Sequence, residues 1–290
     1  MPATDNAHQA AHTCLLCTDI TDKVALAQQL WHDWQARQLT VRNISLALSL
    51  QAGQPRRPVM VAPNQLIKRK LRSRTGQAAF IHAIAHIEFN AINLACDAIS
   101  RFQGLPADYY ADWIRVAAEE AKHFSLLQTR LHALGYTYGD FPAHNGLWEL
   151  AQRTADNLVQ RMALVPRVME ARGLDVTPGM ITRLHQIGDT ATAEILAIIL
   201  QDEIGHVAIG TRWFQYACAQ HGLDPEAHYL HLLSTHFRHL VRGPLHTEAR
   251  LAAGFSPHEI NQLNQLCTAG NAHSDRPKTA SVQRGDTQTI

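Results

Sequence analysis

Two stretches of this sequence, AAEEAKHF and ILQDEIGH, each set a glutamate and a histidine three residues apart inside an otherwise apolar helical pattern. The pairs are Glu120 with His123 and Glu203 with His206. At about 3.6 residues per turn, this spacing puts both side chains on one helix face, roughly one turn apart, so both can reach one point. Burying a carboxylate or an imidazole costs several kcal/mol unless each finds a partner. A fold that accepts these helices into its core must therefore supply positive charge between them.

Each pair has an upstream acid on an apolar face. Glu88 stands in AHIEFNAI and Glu170 in RVMEARG; 31 residues lie between Glu88 and Glu120, and 32 between Glu170 and Glu203. A single Glu-x-x-His is usually a solvated surface pair, because i, i+3 spacing also suits exposed side chains. Two copies, each with a glutamate at the same upstream interval and each flanked by Leu, Ile, Val or Ala, point the other way. Glu170 is the weakest member, since MEARGLDVTPG also reads as a helix end, where charged residues are common.

The texture around these residues is helical. Long 3.6-period patterns run over 67–102, 106–134, 145–172 and 179–221, with turns expected at QGLPAD, GYTYGDFPAHNG and GLDVTPG. Alternating β-branched segments are absent there, so the fold class is all-α. Residues 1–66 read as an N-terminal extension, a short helix with an irregular or strand-like piece and the proline-rich connector GQPRRPVMVAPNQ; 67–222 form the bundle. Residues 223–268 add C-terminal helices, the first over 224–242, and the polar tail 269–290 is expected to be disordered.

Four carboxylates and two imidazoles on four helices are the ligand set of di-iron and di-manganese carboxylate proteins. Two divalent cations bring four positive charges and four carboxylates cancel them, so the acids can be buried. Oxygen donors with one nitrogen per metal favour iron or manganese over zinc or copper. The expected ligands are Glu88, Glu120, His123, Glu170, Glu203 and His206. Asp202 and Glu119, each preceding a ligand, are placed to accept the other ring N–H of a ligating histidine. His82 is a further candidate for that outer role, and Ala85, Ala91 and Gly210 are small enough to leave room for O2 or a substrate.

At these residues the chain resembles the ferritin-like superfamily of di-metal carboxylate proteins. The phrases AHIEFNAI, FPAHNGLWELA, LVPRVMEARGLDVTPGM, DEIGHVAIGTRWF and ARLAAGF are more closely similar to a bacterial family known only as domain of unknown function 455, over roughly residues 20–265. The resemblance implies a ferritin-like four-helix bundle, with additional N- and C-terminal helical segments and the six ligands above, and supplies no substrate.

The leading functional expectation is an oxidoreductase, an O2-dependent oxidase or hydroxylase using two Fe ions, with Mn or mixed Mn/Fe as alternatives. The expected partners are a small-molecule or tRNA-nucleoside substrate and an electron-donor protein; a homodimer is compatible with the sequence. Iron storage with ferroxidase activity and a non-catalytic metal-binding module remain the competing classes.

Lysine plus arginine total 26 against 25 acids, so no global field attracts nucleic acid or an anionic membrane. Five scattered cysteines do not form a disulfide framework, and no run of 18 apolar residues occurs, which points to a cytoplasmic protein. HTCLLC (His12 to Cys17) is half a zinc motif without its other half and reads as a flexible start. KRKLRSR gathers five basic residues into seven positions and reads as a solvated helix start or subunit contact, with phosphate binding the less favoured reading. His228, His231, His236 and His239 fall on an outer helix and are expected to be solvated.

Overall fold

The basic run KRKLRSR precedes the first long helix and enters it only with its last residue, Arg74. Within the run Ser73 accepts the Gly76 N–H at 3.1 Å and caps α3 (Arg74–Arg101), which starts at Arg74 rather than at Ile67. The computed structural model describes residues 4–237 and 241–274. Among them there is no β-strand, only isolated bridges pairing Asn6 with Thr40 and Met60 with Ala143, so the chain is all-α. By length and composition α3 could cross a membrane, yet 72% of its most apolar window is buried inside the protein.

Packing partners explain that burial. A five-residue connection joins α3 to α4 (Ala107–Ala133), and the two pack along their length as an antiparallel hairpin. The N-terminal helices α1 (Ala7–Leu16) and α2 (Ile20–Gln35) pack on α3 and α4 respectively. HTCLLC is therefore no flexible start: it forms the last turns of α1, with Cys14 wholly buried. Lys23 of α2, also wholly buried, donates to the carbonyls of Leu15 and Gly53 at 3.0 Å each and to Asn93 of α3. Those bonds offset the desolvation of its ammonium group and fasten the N-terminal segment to the core.

The second half departs from the expected helix boundaries. The pattern over 145–172 breaks into α5 (Gly146–Arg153) and α6 (Leu158–Leu164). At the break the Thr154 hydroxyl donates back to Leu150 O at 3.0 Å, and Asn157 caps Gln160 N–H, local bonds that compete with a continuous ladder. Beyond α6 the helix runs on through a π-helical segment, Val165–Glu170, into α7 (Ala171–Gln186).

GLDVTPG is therefore not a turn. Pro178 removes one ladder bond, but continuing the helix buries Leu174 and Leu184 completely, and that packing wins. The chain reverses at Gly188, whose φ of +79° a side chain would resist, and Asp189 then caps α8 (Thr190–Gln220) through Thr192 N–H. α7 and α8 form the second hairpin, and α8 also packs on α4.

The C-terminal elements brace this second run. They are α9 (Pro225–Leu232), a π turn to Phe237, α10 (Thr247–Ala252) and α11 (Pro257–Ser274). The helix expected over 224–242 thus gives way at Leu232, and residues 238–240 lie outside the described residues. Arg167 of the π segment is buried over the rings of Phe214, Tyr229 and Phe255 and bonds Glu259 at 2.6 Å; Arg250 bonds both oxygens of Asp175 on α7. Of the tail expected from Ala269, the residues to Ser274 continue α11, and 275–290 lie outside the described residues.

Candidate metal centre

Within one turn of α4 stand Glu119, Glu120, Lys122 and His123, and within one turn of α8 stand Asp202, Glu203 and His206. Glu120 sits between the two histidines. Its Oε2 lies 3.2 Å from His123 Nδ1 and its Oε1 lies 3.0 Å from His206 Nδ1. Glu88, from α3, approaches His123 Nδ1 at 3.3 Å, and Glu203 approaches His206 Nδ1 at 3.6 Å. One donor atom each from Glu88, Glu120, His123 and Glu203 lies within 4.8 Å of the others, a buried cluster that could hold a metal ion.

Both imidazoles turn Nδ1 inward and Nε2 outward. His123 Nε2 meets Asp202 Oδ2 at 3.0 Å, and His206 Nε2 meets Glu119 Oε2 at 2.7 Å. The pairing is crossed: each histidine is held by the acid of the opposite helix. A carboxylate accepting the Nε2 proton fixes the tautomer that leaves Nδ1 with a free lone pair. Lys122 Nζ also bonds Asp202 at 3.0 Å; burial acts upward on that carboxyl, but the His123 contact and then Lys122 hold it below its ordinary range.

The inward-facing atoms do not form a well-bonded ionic network. Glu88 Oε2, Glu120 Oε1, Glu170 Oε2, Glu203 Oε2 and His206 Nδ1 are all buried without a hydrogen-bond partner. Among these atoms His206 Nδ1 and Glu120 Oε1 approach to 3.0 Å without forming a hydrogen bond. Buried polar atoms are normally satisfied, so the orphans of Glu88, Glu120 and Glu203 within one buried cluster, with His206 beside it, mark a place that a cation could fill. Carboxylate oxygens and imidazole nitrogens are donors that suit a divalent cation.

The electrostatics show the same strain. Burial pushes the carboxyl groups of Glu88 and Glu203 above the usual range, with the Glu120 charge adding to both. Glu170 is raised well above it by burial and by the neighbouring Glu203 and Glu120 charges. Burial acts upward on Glu120 too, but His206 and His123 outweigh it and hold that group low. Burial lowers His123, but its contacts with Glu120 and Glu88 prevail and push it up to about 11; Glu120 likewise raises His206 against its burial. The same burial that favours the protonated carboxyl groups would favour cations in a loaded centre.

Four of the six expected ligands, Glu88, Glu120, His123 and Glu203, come together as one group, and His206 adjoins it through Glu120. Glu170 lies at the end of the π segment, near enough to feel Glu203, Glu120 and His206 but outside the four-atom group. It stands where α7 begins, but its side chain makes no capping hydrogen bond, since the helix runs on from the π segment. Asp202 and Glu119 each contact the imidazole of the opposite helix.

His82 does not reach the cluster: its Nε2 accepts the Gly139 N–H at 2.9 Å and its ring stacks on Tyr138. Gly210 leaves no room for a ligand either, since a Cβ there would meet Pro166 at 2.3 Å; the glycine admits the π segment against α8. His228 and His231 lie on α9 away from the cluster, and the side chains of His236 and His239 lie outside the described residues. The sequence reading missed Lys122, which nothing in the motif announces, and Pro166, whose place inside a helical pattern signals a disturbed ladder.

Residues 16–261 match the model of a family described as Protein of unknown function (DUF455). The chain belongs to this family. The span matched by the DUF455 model contains every residue of the cluster and the crossed acid contacts, and begins at the last residue of α1. A relative from Haemophilus influenzae, an uncharacterized protein, is 48% identical over 221 residues, covering 73% of this chain and 76% of its own length. No solved structure matches.

Proposed function

We propose that this chain is a ferritin-like four-helix bundle that holds two iron or manganese ions and uses O2 to oxidise or hydroxylate an organic substrate. The observation that carries the reading is the crossed acid–imidazole arrangement around carboxylate oxygens with no hydrogen-bond partners. A passive structural site needs its ligands; an enzyme site also needs their basicity and orientation tuned, which is what the outer carboxylates do. In this reading α3, α4, the π–α7 run and α8 are the four helices. Glu120, which faces both histidines, would serve both ions, with Glu88 and His123 available to hold one and Glu203, His206 and Glu170 available to hold the other.

When bound, the ions would supply the redox chemistry with O2 that no side chain here can perform. The protein's own part is to hold the donor set in low dielectric, fix both imidazole tautomers and keep bulk water from the cluster. The test is metal analysis of the chain reconstituted anaerobically with Fe(II) or Mn(II), followed by optical spectra on exposure to O2. Two ions per chain and an O2-dependent transient in a small particle are the expected results. Trace metal after reconstitution would falsify the centre, and a large cage that accumulates many irons per chain would replace catalysis by storage.

A further inference from the structure

The helix packing leaves one side of the molecule open. α3 packs along α4 and α7 along α8, but α3 and α7 are not packed along one another. Between them lies a groove of about 380 Å³, walled by Phe80 and Ala79 of α3, Met180 of α7 and Leu71 of the connector, and rimmed by Lys68, Arg69 and Arg183. No acid lines it. Among the described residues Arg69 bonds the Ile67 carbonyl, with its guanidinium over the Phe141 ring, and Arg183 bonds the Gly179 carbonyl, and neither pairs with an acid.

Both walls lead to the candidate centre. Phe80 precedes Glu88 by eight residues on α3, and Met180 follows Glu170 by ten on α7, which at 1.5 Å per residue places the groove about 12 to 15 Å from the ligands along either helix. Along α3 the way is apolar: Phe80 and Ile84 are half-buried, and Ile87 is 52% exposed, a high value for an isoleucine beside a buried glutamate. On α7, Gly173 and Gly179 have nothing within 4 Å of where a side chain would start.

We propose that this groove binds an anionic amphiphile, its carboxylate or phosphate head at Arg69 and Arg183 and its unbranched apolar tail lying along α3 toward Glu88. A tail of roughly ten methylenes spans the helical distance of about 12 Å. The basic run before α3 then recognises a head group, and the apolar stripe aligns a chain whose far end meets the centre. Nucleic acid fits less well, because three cations rim the groove in a chain of net charge +1. The direction of the tail rests on the proposed metal centre; binding in the groove does not.

The experiment is calorimetric titration of the full chain, metal-free and iron-reconstituted, with dodecanoate, dodecyl phosphate and dodecyltrimethylammonium below their micellar concentrations, and with an RNA hairpin. Saturable binding of one anionic amphiphile per chain is expected, with the tighter of the two anions naming the head group. Arg69→Glu combined with Arg183→Glu should weaken it at least tenfold, and Ala79→Trp, which fills the groove without changing charge, should do the same while both variants keep their helical circular dichroism. Equal binding of the cationic amphiphile, no saturable binding of either anion, or unchanged affinity in Ala79→Trp overturns the proposal. So does RNA binding that the charge reversal abolishes while no amphiphile binds. Two irons loaded without amphiphile binding would remove this inference alone; amphiphile binding without metal would remove the centre and leave the groove.

Discussion

The two halves of the centre repeat one another in sequence but not in structure. The first half, Glu88, Glu120 and His123, comes from two long unbroken α-helices and is buried to 3% exposure or less. The second half draws Glu170 from the end of a π segment, and Glu203 keeps 9% exposure. Three of the four mutually close donor atoms belong to the first half. A π segment offers a helix an extra residue per turn and is frequent at functional sites, because the ladder there can shift register at small cost. For the proposed enzyme this difference predicts a division of labour: α3 and α4 form the fixed half, whereas the π–α7 run carries its glutamate at the end of an irregular ladder.

Removing a carboxylate from each half would sharpen that contrast most. Glu120 faces both histidines, so Glu120→Ala should take a reconstituted chain from about two ions to nearly none, whereas Glu170→Ala should leave about one. Metal content after anaerobic loading and desalting measures this. Equal losses from the two variants would mean that the halves are equivalent and that the π segment has no separate role.

The crossed contacts give the next effect. Asp202→Asn and Glu119→Gln each replace an anionic acceptor with a neutral amide of the same shape, and about 10- to 100-fold weaker metal binding is the expected scale. Asp202 holds the histidine of the fixed half and Glu119 that of the second half. Asp202→Asn should therefore weaken the position formed with Glu88, and Glu119→Gln the one formed with Glu170. Competition titration against a metal-binding dye reads both steps; wild-type affinity in both variants would reduce the outer acids to surface ion pairs.

What the sequence made legible follows from which forces are local. The doubled Glu-x-x-His, its upstream acids and the outer acids could be read because i, i+3 geometry is a property of the helix itself. The all-α class was legible for the same reason, as periodicity survives any packing. Boundaries in the second half were not, because distant partners decide them. Pro178 and the glycines of RGLDVTPG advertise a turn, and only the burial of Leu174 and Leu184 overrules them. Gly210 looked like space because its neighbour Pro166, 44 positions earlier in sequence, is invisible from the local pattern. The burial of Lys23 was hidden too, since its acceptors come from three separate segments.

Gly210→Ala tests the seat of the π segment. The added methyl would meet Pro166 carbons at 2.3 Å, so either the π turn or α8 must shift, and overpacking of this kind costs about 1–3 kcal/mol. Chemical denaturation should show the loss, and metal binding at the second position should fall with it. A variant as stable as wild type would mean that the π segment yields freely and that the glycine is not what seats it.

Gly205 on the same helix sets the smallest effect against that one. It lies between Glu203 and His206, and an added Cβ would meet nothing within 4 Å. With no clash to oppose it, Gly205→Ala should follow helix propensity and stabilise the chain by about 0.5–1 kcal/mol, through the smaller entropy lost on folding. One helix, two identical substitutions five residues apart, and opposite signs: propensity decides where space is open, and packing decides where Pro166 fills it. At roughly 2 °C per kcal/mol for a chain of this size, the pair should differ by several degrees in Tm, with Gly205→Ala above wild type and Gly210→Ala below. If Gly205→Ala instead lowers Tm, the space beside the second Glu-x-x-His is occupied in solution, and the openness assigned to that half of the centre is lost.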